Sequence, residues 1–171
     1  MLKVGTPAPN FSAKDQNGQL KTLADYKGKY LLLYFYPRDN TPGCTAEACS
    51  FRDQYEIFQN RHIEIVGVSK DSAGSHGNFA DRYSLPFTLL SDPNKTMMKA
   101  YDTLVEKTFI GRKYLTTNRV SYLIDPEGII KEVYPKVNPL THAKQILADL
   151  HDHTTLKPII YHLSKLHSHQ S

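Results

Sequence analysis

Cysteine is scarce in this chain. Cys44 and Cys49 are the only two in 171 residues. A disulfide-stapled secreted scaffold needs more of them, and a structural zinc site uses about four Cys/His ligands. Long apolar runs are also missing. None approaches the roughly 18 residues that cross a membrane. The opening Met1-Leu2-Lys3-Val4-Gly5 has no apolar signal region, which points away from export and toward a cytoplasmic protein. Charge of one sign is not clustered either. The net charge is +4 with both signs interspersed, whereas a nucleic-acid binder gathers Lys and Arg on one face. The expectation is a chain with no nucleic-acid or membrane partner. Two lone cysteines in a reducing compartment leave two readings, redox chemistry or buried inert thiols.

What is present suits one domain with a sizeable core, at 40% hydrophobic residues. Asn17-Gly18 between residues 11–14 and 19–22 signals a hairpin. Lys29-Tyr30-Leu31-Leu32-Leu33-Tyr34-Phe35-Tyr36 is a continuous apolar and aromatic run ended by Pro37, which reads as a buried central strand. Helical spacing covers 45–60, 76–84, a short stretch at 95–101, and 140–150, where Leu140, Ala143, Ile146, Leu147 and Leu150 form an amphipathic stripe. Strands are expected at Ile63–Ser69, Phe87–Leu90, Val120–Asp125 and Ile129–Tyr134, the last two joined by a Pro126-Glu127-Gly128 turn. Residues 106–118 read as polar and irregular. The order β-β-β-α-β-α-β-α-β-β-α implies an α/β fold with a mixed sheet flanked by helices.

The chemistry concentrates at residues 37–49, Pro37-Arg38-Asp39-Asn40-Thr41-Pro42-Gly43-Cys44-Thr45-Ala46-Glu47-Ala48-Cys49. A buried strand ends at Pro37, a loop turns, and a helix starts near Cys44. The sulfur then meets free backbone N–H groups and the positive end of the helix dipole. An ordinary thiol is only about 3% ionised at neutral pH, and raising that to about 90% takes roughly 3.4 kcal/mol of thiolate stabilisation. A helix dipole supplies about 0.3–1 kcal/mol, so a cation is needed. Arg119, at the start of a strand with apolar neighbours, is the candidate, because an arginine stays protonated and does not compete as an acid. Arg38 and Arg112 are rivals. The Thr41 hydroxyl, three residues before Cys44, can accept a hydrogen bond from a molecule at the sulfur or serve as an N-cap. Pro37 and Pro42 stiffen the loop or simply stop the strand and turn the chain.

Pro37-x-x-x-Thr41-x-x-Cys44 resembles the active-site motif of the peroxiredoxins. Thr41-Pro42-Gly43-Cys44-Thr45-x-Glu47-x-Cys49 resembles their bacterioferritin-comigratory-protein, or peroxiredoxin Q, branch. The similarity continues through Leu85-Pro86-Phe87-Thr88-Leu89-Leu90-Ser91-Asp92 and Arg119-x-x-Tyr122-Leu123-Ile124-Asp125 and covers roughly residues 1–150. It implies a thioredoxin-like fold with an N-terminal β-hairpin. It also implies a peroxidase of hydrogen peroxide and alkyl hydroperoxides. Cys44 would be the peroxidatic thiol and Cys49 the resolving one, joined afterwards in an intramolecular disulfide that thioredoxin or a similar thiol donor reduces. Thr41, Arg119 and Pro37 would complete the site, with no cofactor and no metal. A resolving cysteine within the chain makes a monomer sufficient.

Two other readings compete. A thiol–disulfide oxidoreductase usually carries Cys-x-x-Cys, whereas four residues intervene here. A holdase or binding module would use the thioredoxin-like fold without peroxidase activity. Residues 1–151 are expected to form the peroxiredoxin domain, with 152–171 a helical extension. There Pro158 opens a stripe of Ile159, Leu163 and Leu166. Six of the eight histidines fall at or after His142, namely His142, His151, His153, His162, His167 and His169. They form either a metal site or a solvated polar face.

Overall fold

The computed structural model describes residues 1–150. The expected extension at 152–171, with its histidines and apolar stripe, lies outside the described residues. β1 (Ser12–Lys14) and β2 (Leu20–Thr22) form the hairpin around Gly18, followed by a 3₁₀ turn at Leu23–Tyr26. Then come β3 (Tyr30–Phe35), α1 (Pro42–Asn60), β4 (Ile63–Ser69), α2 (Ala73–Tyr83), β5 (Thr88–Ser91) and α3 (Thr96–Ala100). β6 (Leu104–Phe109), β7 (Arg112–Thr117), β8 (Val120–Ile124), β9 (Ile130–Tyr134) and α4 (His142–Leu150) complete the order. Seven strands make one mixed sheet in the order β2-β1-β5-β4-β3-β8-β9. β3, β4 and β5 run parallel at its centre, while β8 and β1 are antiparallel to their neighbours. This is the mixed sheet flanked by helices that the element order implied, in the thioredoxin-like arrangement that the peroxiredoxin resemblance implied.

β3 explains why the sheet is covered on both sides. Successive side chains point to opposite faces, so Leu32, Tyr34 and Tyr36 enter one cluster and Leu31, Leu33 and Phe35 the other. Phe51 and Phe58 of α1, Phe79 of α2 and Ile146 of α4 cover the first face. Met97 and Met98 of α3, with Tyr101, Tyr122 and Phe11, cover the second. Tyr34 is fully buried and stacks on Phe51 with ring centroids 4.7 Å apart. Its neighbour across the parallel ladder is Gly67. A Cβ there would lie 2.8 Å from the Tyr34 ring, so the close approach of β4 to that ring requires glycine. Among the described residues no helix is long and apolar enough to cross a membrane.

The structure departs from expectation in four places. Residues 106–118 are not irregular, because β6 and β7 pair there as a separate antiparallel hairpin. Its two-residue turn is Ile110-Gly111, both with positive φ (50° and 72°), the backbone of a tight primed turn. Isoleucine is a poor residue for that conformation, and its presence hid the signal. α1 begins at Pro42, before Cys44, with Thr41 as N-cap and Pro42 at the first helical position. α2 begins three residues early, where Ser72 accepts from the Ser75 N–H despite Gly74 and Gly77. α4 begins after Leu140, which is 72% exposed and lies outside the stripe, while His142 takes a buried place instead.

Candidate active site

The loop between β3 and α1 delivers the site to the C-terminal edge of the parallel strands. Thr41 has extended backbone angles and ends the loop, and Asn40 just before it has φ 61°. The first intrahelical bond runs from the Thr45 N–H to the Thr41 carbonyl at 2.8 Å. The Gly43 and Cys44 amides therefore precede the helical ladder and have no partner within it. Cys44 sits in this first turn with only 2% of its surface exposed, and Cys49 lies half-buried further along the same helix. Both are free thiols.

Arg119 enters from the residue before β8. Its Nη2 donates to the Cys44 sulfur at 3.3 Å, and its Nη1 donates to Glu47 Oε1 at 3.4 Å. A charge-assisted bond of this kind strengthens when the acceptor is charged. The guanidinium lies against Gly43, where an added Cβ would meet Nη2 at 2.6 Å. The absence of a side chain at residue 43 thus makes room for Arg119. Its rivals are placed differently. Arg38 and Arg112 are exposed and line, with Pro37, Thr41, Lys107 and Phe109, an open groove of about 580 Å³.

The Thr41 hydroxyl does not cap the helix. It donates to the Arg38 carbonyl at 2.9 Å. With its proton committed there, the oxygen can only accept from anything else that approaches. Pro37 is half-buried and lines the same groove as Thr41. The structure thus brings Cys44 and Arg119 into contact and sets Thr41 and Pro37 together on the adjoining groove wall. Cys49 stays on α1.

Sequence reasoning quoted Glu47 but assigned it no role. It is a carboxylate 1% exposed, with Oε2 lacking a hydrogen-bond partner. Burial pushes its pKa up to about 7, against the opposing pull of Arg119. The usable signal was spacing, since a residue three positions after Cys44 shares its helix face.

The AhpC/TSA family profile matches residues 4–133. The chain is 42% identical over 151 residues to peroxiredoxin Bcp of Bacillus subtilis (strain 168), covering 88% of this chain and 96% of that protein. It is 37% identical over 152 residues to peroxiredoxin Bcp of Escherichia coli (strain K12), covering 89% and 97%. Among solved structures it is similar to the Xanthomonas campestris bacterioferritin comigratory protein, studied for alkyl peroxide reduction, with TM-score 0.79 and 35% identity over 84% of this chain and 91% of that one. A mutant of Xylella fastidiosa PrxQ superposes with TM-score 0.84 at 32% identity, over 90% of this chain and 98% of that one.

Proposed function

The chain belongs to the AhpC/TSA family and to its Bcp/peroxiredoxin Q branch, and is therefore a thiol peroxidase; from that premise we propose that Cys44 attacks the peroxide and Cys49 resolves the product. The Cys44 thiolate attacks one peroxide oxygen, an S–O bond forms, and the O–O bond breaks. The other oxygen leaves as alkoxide or hydroxide and takes a proton, giving alcohol or water. Cys49 then attacks the sulfenic sulfur, the S–S bond forms, and the sulfenic oxygen departs as water. A dithiol donor such as thioredoxin returns both cysteines by two exchange steps.

The observation that carries this assignment is the 3.3 Å contact between Arg119 Nη2 and the Cys44 sulfur. Arg119 is the thiolate's cation and stabilises the charge that shifts to the leaving oxygen. Thr41 accepts a hydrogen bond from the peroxide, while the Gly43 and Cys44 amides are placed to donate. Pro37 shapes the wall. Hydrogen peroxide and alkyl hydroperoxides are the substrates, since the groove beside Thr41 is open enough for an alkyl group. A resolving cysteine in the same chain makes a monomer sufficient, and two free thiols suit a reducing compartment such as the cytoplasm. Residues 1–151 form the catalytic unit, because every assigned residue lies before residue 120, and 152–171 are an extension to it.

Stopped-flow mixing of reduced protein with one equivalent of hydrogen peroxide tests the assignment. Stoichiometric peroxide loss, followed by loss of both free thiols, is expected. Peroxide loss that leaves Cys49 unmodified would remove Cys49 from the mechanism.

A further inference from the structure

A second polar cluster is buried directly behind the loop that carries Thr41. The Asp39 carboxylate accepts from Tyr36 Oη at 2.6 Å on one oxygen and from Ser75 Oγ at 2.8 Å on the other. His76 Nδ1 lies 2.7 Å from that second oxygen, and the two side chains are 0% and 2% exposed. The Asp39 N–H donates to Asp71 Oδ2 at 2.8 Å, which also accepts from Ser69 Oγ at 2.6 Å. His76 Nε2 lies 2.9 Å from the Leu90 carbonyl.

Donor counting sets the proton positions. A carbonyl only accepts, so Nε2 carries a hydrogen. Nδ1 faces a carboxylate oxygen at hydrogen-bond distance, so one more proton lies between those two atoms. Two hydroxyls already donate to the Asp39 carboxylate, one to each oxygen. Burial holds Tyr36 as the protonated phenol. Placed on Nδ1, that proton lets His76 donate from both ring nitrogens, to Asp39 and to the Leu90 carbonyl. The ring faces Asp39 from the loop and Asp71 from the end of β4, with the Tyr36, Ser69 and Ser75 hydroxyls around them. A buried ion pair persists only when its remaining donors and acceptors are satisfied, and both nitrogens of His76 are. The same three residues Asp39, Asp71 and His76 lie close enough to suggest a metal site, but a metal bound there would have to displace the Nδ1 proton.

The cluster joins Tyr36 after β3, Ser69 and Asp71 at the end of β4, His76 on α2 and Leu90 on β5. Its loop member, Asp39, sits between Arg38, whose carbonyl holds the Thr41 hydroxyl, and the left-handed Asn40. We propose that His76 is a positioning residue for the peroxidase site, a buried imidazolium that clamps Asp39, and through it the Arg38–Thr41 turn, to β5. The proposal rests on Thr41 and Cys44 acting as assigned above.

Nitrogen NMR of the wild-type chain reads the clamp without any assay of activity. Two protonated ring nitrogens on His76 at neutral pH are expected, and a bare Nδ1 would overturn the proposal. Two variants then read its consequence. The amide of His76→Asn reaches the Nδ1 position, and that of His76→Gln reaches the Nε2 position. In single-turnover oxidation of Cys44 by hydrogen peroxide, His76→Asn should stay within about threefold of wild type and His76→Gln should be at least about tenfold slower, the size of one charge-assisted hydrogen bond. A purely structural histidine would make the rates follow melting temperature instead of donor position. Equal rates in the two folded variants, or the reverse order, would overturn the proposal. A wild type that consumes no peroxide, while His76 still reads as an imidazolium, would locate the failure in the peroxidase assignment instead.

Discussion

Glu47→Gln should make the protein more stable at alkaline pH and a poorer enzyme. The native Glu47 carboxyl has its pKa raised from 4.5 to about 7, chiefly by burial. In the unfolded chain it titrates as an ordinary glutamate. The native state therefore holds a proton that the unfolded state has released once pH passes 4.5. Stability falls as pH rises through that window and levels off above about 7. The raised pKa corresponds to about 3 kcal/mol, at roughly 1.4 kcal/mol per pH unit. Glutamine has nothing to titrate. Urea denaturation of both proteins at about pH 4 and about pH 8 should show the difference moving in favour of the variant by about 3 kcal/mol. Activity should go the other way, because Arg119 loses the charge on Glu47 that holds its Nη1 beside Cys44. Parallel stability curves for the two proteins across that range would refute the reasoning.

Three further outcomes follow from the same geometry. Cys44→Ser should abolish turnover, since an alcohol supplies no comparable nucleophile, and residual peroxidase activity in that variant would reject Cys44. Arg119→Lys replaces a planar fork that reaches both Cys44 and Glu47 with a point charge. The peroxide step should slow by roughly tenfold or more, the equivalent of about 1.5–3 kcal/mol, as stopped-flow oxidation would show. Gly43→Ala should separate stability from activity. Alanine is favoured over glycine by at most about 1 kcal/mol in a helix, and by less in this first turn, yet its Cβ would meet Arg119 Nη2 at 2.6 Å and push it off the sulfur. A melting temperature unchanged or raised, with a peroxide step slowed about tenfold, is expected, and an unchanged rate would show that Arg119 is not held by that contact.

The parts of the fold legible in the sequence were those with a one-dimensional signal. β3 announced itself because both of its faces are buried and no polar residue interrupts Leu31–Phe35. The β1–β2 hairpin was read from Asn17-Gly18, whose glycine has the φ of 78° that the turn needs. Cys44 and Arg119 were legible as residue types, and their contact across 75 positions follows from β8 pairing with β3. The β6–β7 hairpin was not legible, because exposed Glu106, Lys107 and Lys113 mix with exposed Phe109, Tyr114 and Leu115 and leave no alternation. Glu47 and His76 were missed for a different reason. A polar or charged residue in a helix reads as solvated by default, and only the packing reveals that both are buried beside the site.

The disulfide step demands motion, and the structure indicates where that motion stops. Cys44 and Cys49 lie on one helix, α1. Five helical residues give a rise of about 7.5 Å and a rotation of about 140°, so the Cα atoms are about 8.6 Å apart. A disulfide needs about 4.4–6.8 Å, so the first turns of α1 must unwind. Phe51 opposes unwinding beyond itself, being fully buried and stacked on Tyr34. Hydrogen exchange should therefore show Thr45–Ser50 losing protection in the disulfide form while the amides beyond Phe51 keep theirs. Equal protection throughout, with the disulfide confirmed by mass, would sink the unwinding mechanism. Glu47 lies inside the segment that opens. Above about pH 7 its buried carboxylate favours opening by up to the same 3 kcal/mol that it costs the folded form. The residue that holds Arg119 against the reduced thiol thus also lowers the barrier to resolving the oxidised one. Glu47→Gln should then form the disulfide more slowly, leaving the Cys44 sulfenic acid exposed to a second peroxide for longer. Mass spectrometry after a peroxide pulse at about pH 8 should find more sulfinic acid in the variant than in wild type. Equal or smaller amounts would show that Glu47 does not assist the opening of α1.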